Sequence, residues 1–78
     1  MIDIWAPWCV PCKQMEPIIN ELEKDFTIEK VNYDENPEVA DQRGVLSVPT
    51  YIIEKDGKEI KRFTGVTSKE TLEEALRE

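Results

Sequence analysis

The sequence predicts an α/β domain built strand, helix, strand, helix, strand, strand, helix over residues 1–78. Three observations predict it. An apolar start at residues 1–5 is followed by Met15, Ile18, Ile19, Leu22 and Phe26, the i, i+3, i+4, i+7 stripe of a helix lying on a sheet. A second helix signal, headed by Asn36-Pro37 and stopped by Gly44, comes before the apolar run Tyr51-Ile52-Ile53. Asp56-Gly57 then marks a hairpin turn between strands at about 50–54 and 59–63. The first βαβ unit is expected to be parallel with a right-handed crossover. The hairpin adds antiparallel strands, so the sheet is mixed.

Size and charge narrow the function. A chain of 78 residues has room for one small domain, and such a domain buries only about 60% of its unfolded surface. The net charge of −7 argues against nucleic acid and anionic membranes as partners, since both select basic patches. No apolar run has the length of a membrane span, and the start lacks the basic and long apolar segments of a signal peptide. A cytoplasmic, reducing location is the expectation. The chain has no histidine, which removes Cys-His catalysis and most zinc chemistry. A structural zinc site needs about four Cys or His ligands. With two cysteines per chain, no metal is expected unless two chains share a site.

In order along the chain, the first strand carries one polar oddity, Asp3, which without further information could be a solvated chain start. Ile4-Trp5-Ala6-Pro7-Trp8-Cys9-Val10-Pro11-Cys12-Lys13 leads from it into the first helix, and Cys9 and Cys12 are the only cysteines. In the first turn of a helix their Cα atoms fall within the roughly 4.4–6.8 Å that a disulfide spans, so dithiol and disulfide forms interconvert with little rearrangement. A sulfur at a helix N-terminus meets unpaired N–H groups and the positive dipole end, which favour its thiolate. Pro11 lacks an N–H that would have no intrahelical partner there.

Trp5-Ala6-Pro7-Trp8-Cys9-Val10-Pro11-Cys12-Lys13 resembles the active-site run of the thioredoxin family, usually W-A-x-W-C-G-P-C-K, with Val10 in place of glycine. The resemblance covers the chain and implies a thioredoxin fold, βαβαββα, with sheet order 2-1-3-4 and three flanking helices. It also implies a protein-disulfide reductase. Cys9, as the more exposed sulfur, attacks a substrate disulfide, and Cys12 resolves the mixed disulfide. Asp3 matches a buried family aspartate that exchanges a proton with the second cysteine, and burial would raise its pKa. Lys30 matches a lysine beside that aspartate; the plainer reading is a solvated edge-strand lysine.

Pro17 interrupts the helical stripe and predicts a kink near Lys13. Residues 27–33 read as the second strand, with Ile28, Val31 and Tyr33 apolar. Thioredoxins carry a further strand and helix ahead of the first strand seen here. That segment is expected to be missing, which makes 27–33 an exposed edge where charged side chains discourage pairing. Val39, Ala40 and Val45 are the expected core contacts of the second helix.

Proline before a strand is ordinarily a plain strand start. The resemblance instead implies a cis Val48–Pro49 bond facing the cysteines, with the Val48 backbone free to pair with an extended substrate. Trp8, Val48, Pro49, Gly65 and Val66 are the expected substrate surface, and Trp5 is core packing. Thr67 and Glu70 suggest a capping box for the last helix, whose buried face is Leu72, Ala75 and Leu76.

No bound cofactor is expected beyond the redox-active Cys9–Cys12 pair. The partners implied are disulfide-containing proteins and, as electron donor to a monomer, an NADPH-dependent thioredoxin reductase. Three alternatives remain: a glutaredoxin-like protein reduced by glutathione, an interaction module docking through Trp8, and a dimer bridged by a metal or cluster.

Overall fold

A computed structural model describes every residue from Met1 to Glu78. The elements are β1 (Ile2–Trp5), α1 (Val10–Leu22), β2 (Glu29–Asn32), α2 (Pro37–Arg43), β3 (Thr50–Lys55), β4 (Lys58–Thr64) and α3 (Lys69–Leu76). The sheet runs β2-β1-β3-β4, with β1 and β2 parallel and the other pairs antiparallel. This is the architecture the sequence predicts.

Strand alternation divides the core between two faces. Ile2, Ile4 and Ile52 point toward α2 and pack with Val31, Ala40 and Val45. Tyr51 points the other way, into Met15, Ile19 and Leu22 of α1 and Leu72 of α3. Asp3 lies on that second side, between two isoleucines directed at the first. A Leu72→Ala variant removes a fully buried side chain from the α1–α3 seam. It is expected to cost about 3 kcal/mol, read as a lower midpoint in urea with an unchanged slope.

Four local details differ from expectation. Helix α1 stops at Leu22 and Phe26 lies beyond it, because the chain tightens into Lys24 N–H to Glu21 O and Asp25 N–H to Leu22 O bonds. Phe26 still packs against the α1 core cluster, so the apolar stripe overstates the helix without misplacing the residue. Strand β2 is shorter than residues 27–33, although Glu29 N–H to Met1 O and Tyr33 N–H to Trp5 O prolong its pairing. It is the edge of the sheet within this chain.

Asn36 holds the N-cap position of α2 without capping it through its side chain, whose amide donates to Asn32 O. The cap of α3 falls one residue late, on Ser68, whose Oγ accepts from Thr71 N–H. Thr67 is not free for the role, because its hydroxyl donates to Gly65 O.

Gly44 and the Asp56-Gly57 turn behave as read. Gly44 closes α2 in the left-handed region (φ 65°). Asp56 and Gly57 both take positive φ at the tip of the β3–β4 turn. Pro17 lies inside α1, leaving the Lys13 carbonyl without an amide at i+4.

Candidate active site

The site forms where β1 ends and α1 begins. The parallel register sets Trp5 beside Asn32, so the segments just past β1 and β2 emerge together. Cys9 is the N-cap of α1, in extended conformation, and its Sγ accepts the Cys12 backbone N–H at 3.1 Å. An orphan donor of the first helical turn is thus aimed at the Cys9 sulfur, where it stabilises negative charge once the pair is reduced. Cys9 and Cys12 are joined as a disulfide, with Cα atoms 5.2 Å apart.

Residue exposure does not single out Cys9 from Cys12, since both are buried. Cys9 is 4% and Cys12 8% exposed. Cys9 turns its sulfur over the helix mouth, and Ala6, Trp5, Tyr33 and Val48 pack around the pair. What separates the two cysteines is direction. Cys9 Sγ accepts a backbone N–H, whereas the Cys12 side lines a cavity away from it.

That cavity, of about 530 Å³, also touches Asp3, Trp5, Lys30 and Ile19. Asp3 is buried, and its Oδ1 has no hydrogen-bond partner. Burial pushes its carboxyl up to about 6, partly offset by the positive charge of Lys30. Lys30 stands beside Asp3 in the β1–β2 register but forms its ion pair with Glu23, at 2.8 Å. Both readings of Lys30 therefore hold in part: it is a solvated edge lysine, and it is close enough to bias the aspartate.

On the opposite side lies the expected substrate surface. The Val48–Pro49 bond is cis, and neither the N–H nor the C=O of Val48 makes a hydrogen bond within the chain. Thr50 Oγ1 donates to Ser47 O at 2.7 Å, and Gly65 N–H donates to Pro49 O at 2.9 Å, which fixes this loop against the bend that follows β4. Gly65 adopts φ 80°, and a Cβ there would meet nothing within 4 Å. Its absent side chain matters for backbone conformation, and the rim around it is open. Trp5 is half-buried against the cysteines, as core packing requires. Trp8 and Val66 are exposed.

Three participants escaped sequence reading: Asp34, Tyr33 and Leu46. Asp34 accepts the Trp8 indole N–H with both carboxylate oxygens, at 3.2 and 3.0 Å, and so holds an exposed ring in place. Tyr33, Leu46 and Ser47 join Trp8 and Val48 around a groove of about 120 Å³. Releasing the ring with Asp34→Ala should lower kcat/KM for a protein disulfide about fivefold, mostly through KM, the effect of one solvent-exposed charged hydrogen bond. Steady-state kinetics on insulin check this.

No group of three or more His, Cys, Asp or Glu side chains is arranged to hold a metal ion. The chemistry the geometry does support is two-electron exchange between sulfurs.

Comparison with known proteins points the same way. The family model described as Thioredoxin matches residues 1–78. Thioredoxin 1 of Synechococcus elongatus is 41% identical over 80 residues, covering 97% of this chain and 75% of that protein. The thioredoxin of Bacillus subtilis is 40% identical, covering 97% of this chain and 77% of its own length. Among solved structures, a point mutant of Halobacterium salinarum thioredoxin superposes with a TM-score of 0.92 at 29% identity, over 97% of this chain and 69% of that one. Fasciola hepatica thioredoxin gives 0.88 at 35% identity, over 97% and 75%.

Proposed function

We propose, from the premise that this chain belongs to the thioredoxin family, that Cys9 is the attacking sulfur and Cys12 the resolving sulfur of its protein-disulfide reductase activity. The observation that carries the assignment is the Cys12 N–H directed at Cys9 Sγ from the first turn of α1.

In the forward reaction the Cys9 thiolate attacks one sulfur of a substrate disulfide. The substrate S–S bond breaks, a Cys9–substrate disulfide forms, and the departing sulfur takes a proton. Asp3 then accepts the Cys12 thiol proton through the cavity the two residues share. Cys12 attacks Cys9 Sγ, the Cys9–substrate bond breaks, and the second substrate sulfur leaves and is protonated. Two electrons have passed from the dithiol to the substrate, and Cys9–Cys12 is oxidised. Lys30 biases Asp3 toward its charged form between turnovers. Trp8, the free Val48 backbone, Pro49, Gly65 and Val66 receive the substrate as an added extended segment.

In this reading residues 1–78 act as one monomeric domain in the cytoplasm, and an NADPH-dependent thioredoxin reductase returns the electrons. No helix is long and apolar enough to cross a membrane. The experiment is insulin-disulfide reduction with each candidate donor supplied separately. Turnover with NADPH and thioredoxin reductase, and little with glutathione, is the expected result. Turnover with glutathione alone would replace this reading by the glutaredoxin-like one.

A further inference from the structure

Glu23 stands where its own helix gives it no support. It is the C-cap residue of α1, whose last turn holds no basic side chain, so its carboxylate faces the negative end of the helix dipole. Its ion pair is with Lys30 of β2, at 2.8 Å, and both side chains are more than a third exposed, which gives the pair little weight in stability.

Lys30 is the register partner of Asp3, and both border the 530 Å³ cavity that reaches Cys12. Yet Lys30 makes no ion pair with Asp3, and Asp3 Oδ1 is buried without a hydrogen-bond partner. A buried carboxylate with a lysine beside it ordinarily takes that lysine as its counter-ion. Glu23 offers the ammonium a rival that is still hydrated, so pairing there carries less desolvation cost.

No other group around Asp3 replaces Lys30. Lys13 and Glu16 of α1 border the cavity. Burial acts most on the Asp3 carboxyl and raises it, Lys30 lowers it, and Glu23 raises it. From β3 comes Tyr51, whose phenol is itself pushed up by burial and then by Asp3. Helix α3 presents the apolar Leu72 to this side of the sheet, and its Lys69 is drawn to Glu21. A contact with Lys30 would make Asp3 a weaker base, whereas an unpaired carboxylate is suited to accepting a thiol proton.

We propose that Glu23 is a positioning residue for the exchange reaction: by drawing Lys30 out of the cavity, it leaves the Asp3 carboxylate unpaired to take the Cys12 proton. That proton passes from Cys12 Sγ to an Asp3 oxygen, and Lys30 and Glu23 neither gain nor lose one. The inference rests on the dithiol reading of the site, with Asp3 as its proton acceptor.

The test follows the Asp3 carboxyl carbon by NMR against pH in the oxidised protein, where the joined cysteines do not titrate. It compares wild type, Glu23→Gln, Lys30→Gln, the double variant and Glu21→Gln. Glu21 serves as control because it loses the same charge but pairs with Lys24 and Lys69. Wild-type Asp3 should titrate near pH 6. In Glu23→Gln the ratio of ionised to neutral Asp3 at that pH should rise about tenfold, the low end for a cation reaching a carboxylate. Glu21→Gln should not move it, and most of the rise should vanish when Glu23→Gln is made in the Lys30→Gln background.

Release of the second thiol from a saturating peptide disulfide, in a single turnover across about pH 5–8, should show the same displacement toward acid. Its plateau should be about threefold lower, as a tenfold weaker base gives. The replaced carboxylate is exposed and makes no cap hydrogen bond, so circular dichroism should match the parent.

An unmoved Asp3 titration in Glu23→Gln would overturn the proposal and leave the dithiol reading standing. So would an equal displacement in Glu21→Gln or in the Lys30→Gln background. A displaced titration with an unchanged rate profile would overturn its catalytic half, and with it Asp3 as proton acceptor. No thiol release from the wild-type protein would strike the dithiol reading itself, and the proposal with it.

Discussion

Cys9→Ser is expected to abolish insulin reduction, and Cys12→Ser to accumulate substrate proteins joined to Cys9 by a disulfide that thiol reductants release. The difference follows from which step each sulfur serves. Without Cys9 there is no nucleophile at the helix mouth, and loss of such a group lowers turnover by several orders of magnitude. Without Cys12 the first exchange still occurs, but nothing attacks the mixed disulfide from within. Serine retains shape and hydrogen bonding, so both variants remain folded. Bands on a non-reducing gel, identified by mass spectrometry, provide the readout. Equal trapping by both variants would reverse the assignment built on the Cys12 N–H contact.

The second large effect concerns Asp3. Its carboxyl titrates near 6 in the folded chain against an ordinary 3.8, because burial disfavours its charge. The folded state therefore holds the proton over a pH range in which the unfolded state has released it. Asp3 costs nothing below about pH 3.8, and its cost grows as pH rises through that window, levelling off above about 6. The full penalty is roughly 3 kcal/mol.

Asp3→Asn removes that charge, so it should stabilise the protein by up to about 3 kcal/mol at pH 7.5 and leave stability near pH 3.5 unchanged. Urea unfolding at the two pH values measures both arms. The same variant should slow release of substrate from the mixed disulfide by about 10²-fold, the lower range for loss of a positioned base. Higher stability with slower resolution identifies a group kept for chemistry at the expense of the fold. A stabilisation that does not depend on pH would remove the ionised carboxylate from the account.

What the sequence disclosed followed from short-range rules. The Trp5–Lys13 run, the apolar stripe of α1, Gly44 and Asp56-Gly57 each act within a turn or two of the chain, and each fell where local chemistry requires. The shared cavity of Asp3 and Cys12 was legible only by resemblance, because nothing local says that a carboxylate near a chain start is buried. The capping residue of α3 was misplaced by one position because Thr67 and Ser68 are equally able caps. The Thr67 bond to Gly65 O decides between them, and that bond needs the folded loop.

Asp34 and Leu46 were hidden for different reasons. Trp8 and Asp34 are 26 residues apart and meet only because β1 and β2 run parallel in the register Trp5–Asn32. A signal was available, since an indole N–H seeks an acceptor and the ends of adjacent parallel strands converge. Leu46 lies in an irregular segment, where no periodicity separates an inward from an outward side chain. Nothing local distinguishes it from the buried Val45 beside it, and only the folded loop turns it to solvent.

Everything proposed for the site requires that Cys9 and Cys12 exchange two electrons while the fold persists. Equilibrating the protein across a series of dithiothreitol redox buffers, then alkylating free thiols and weighing the products, tests it most directly, with circular dichroism recorded at each point. The expected result is one transition with zero or two alkylated cysteines and a slope near 30 mV per tenfold change, with a spectrum unchanged throughout. Singly alkylated protein across the transition, or loss of structure on reduction, would contradict it.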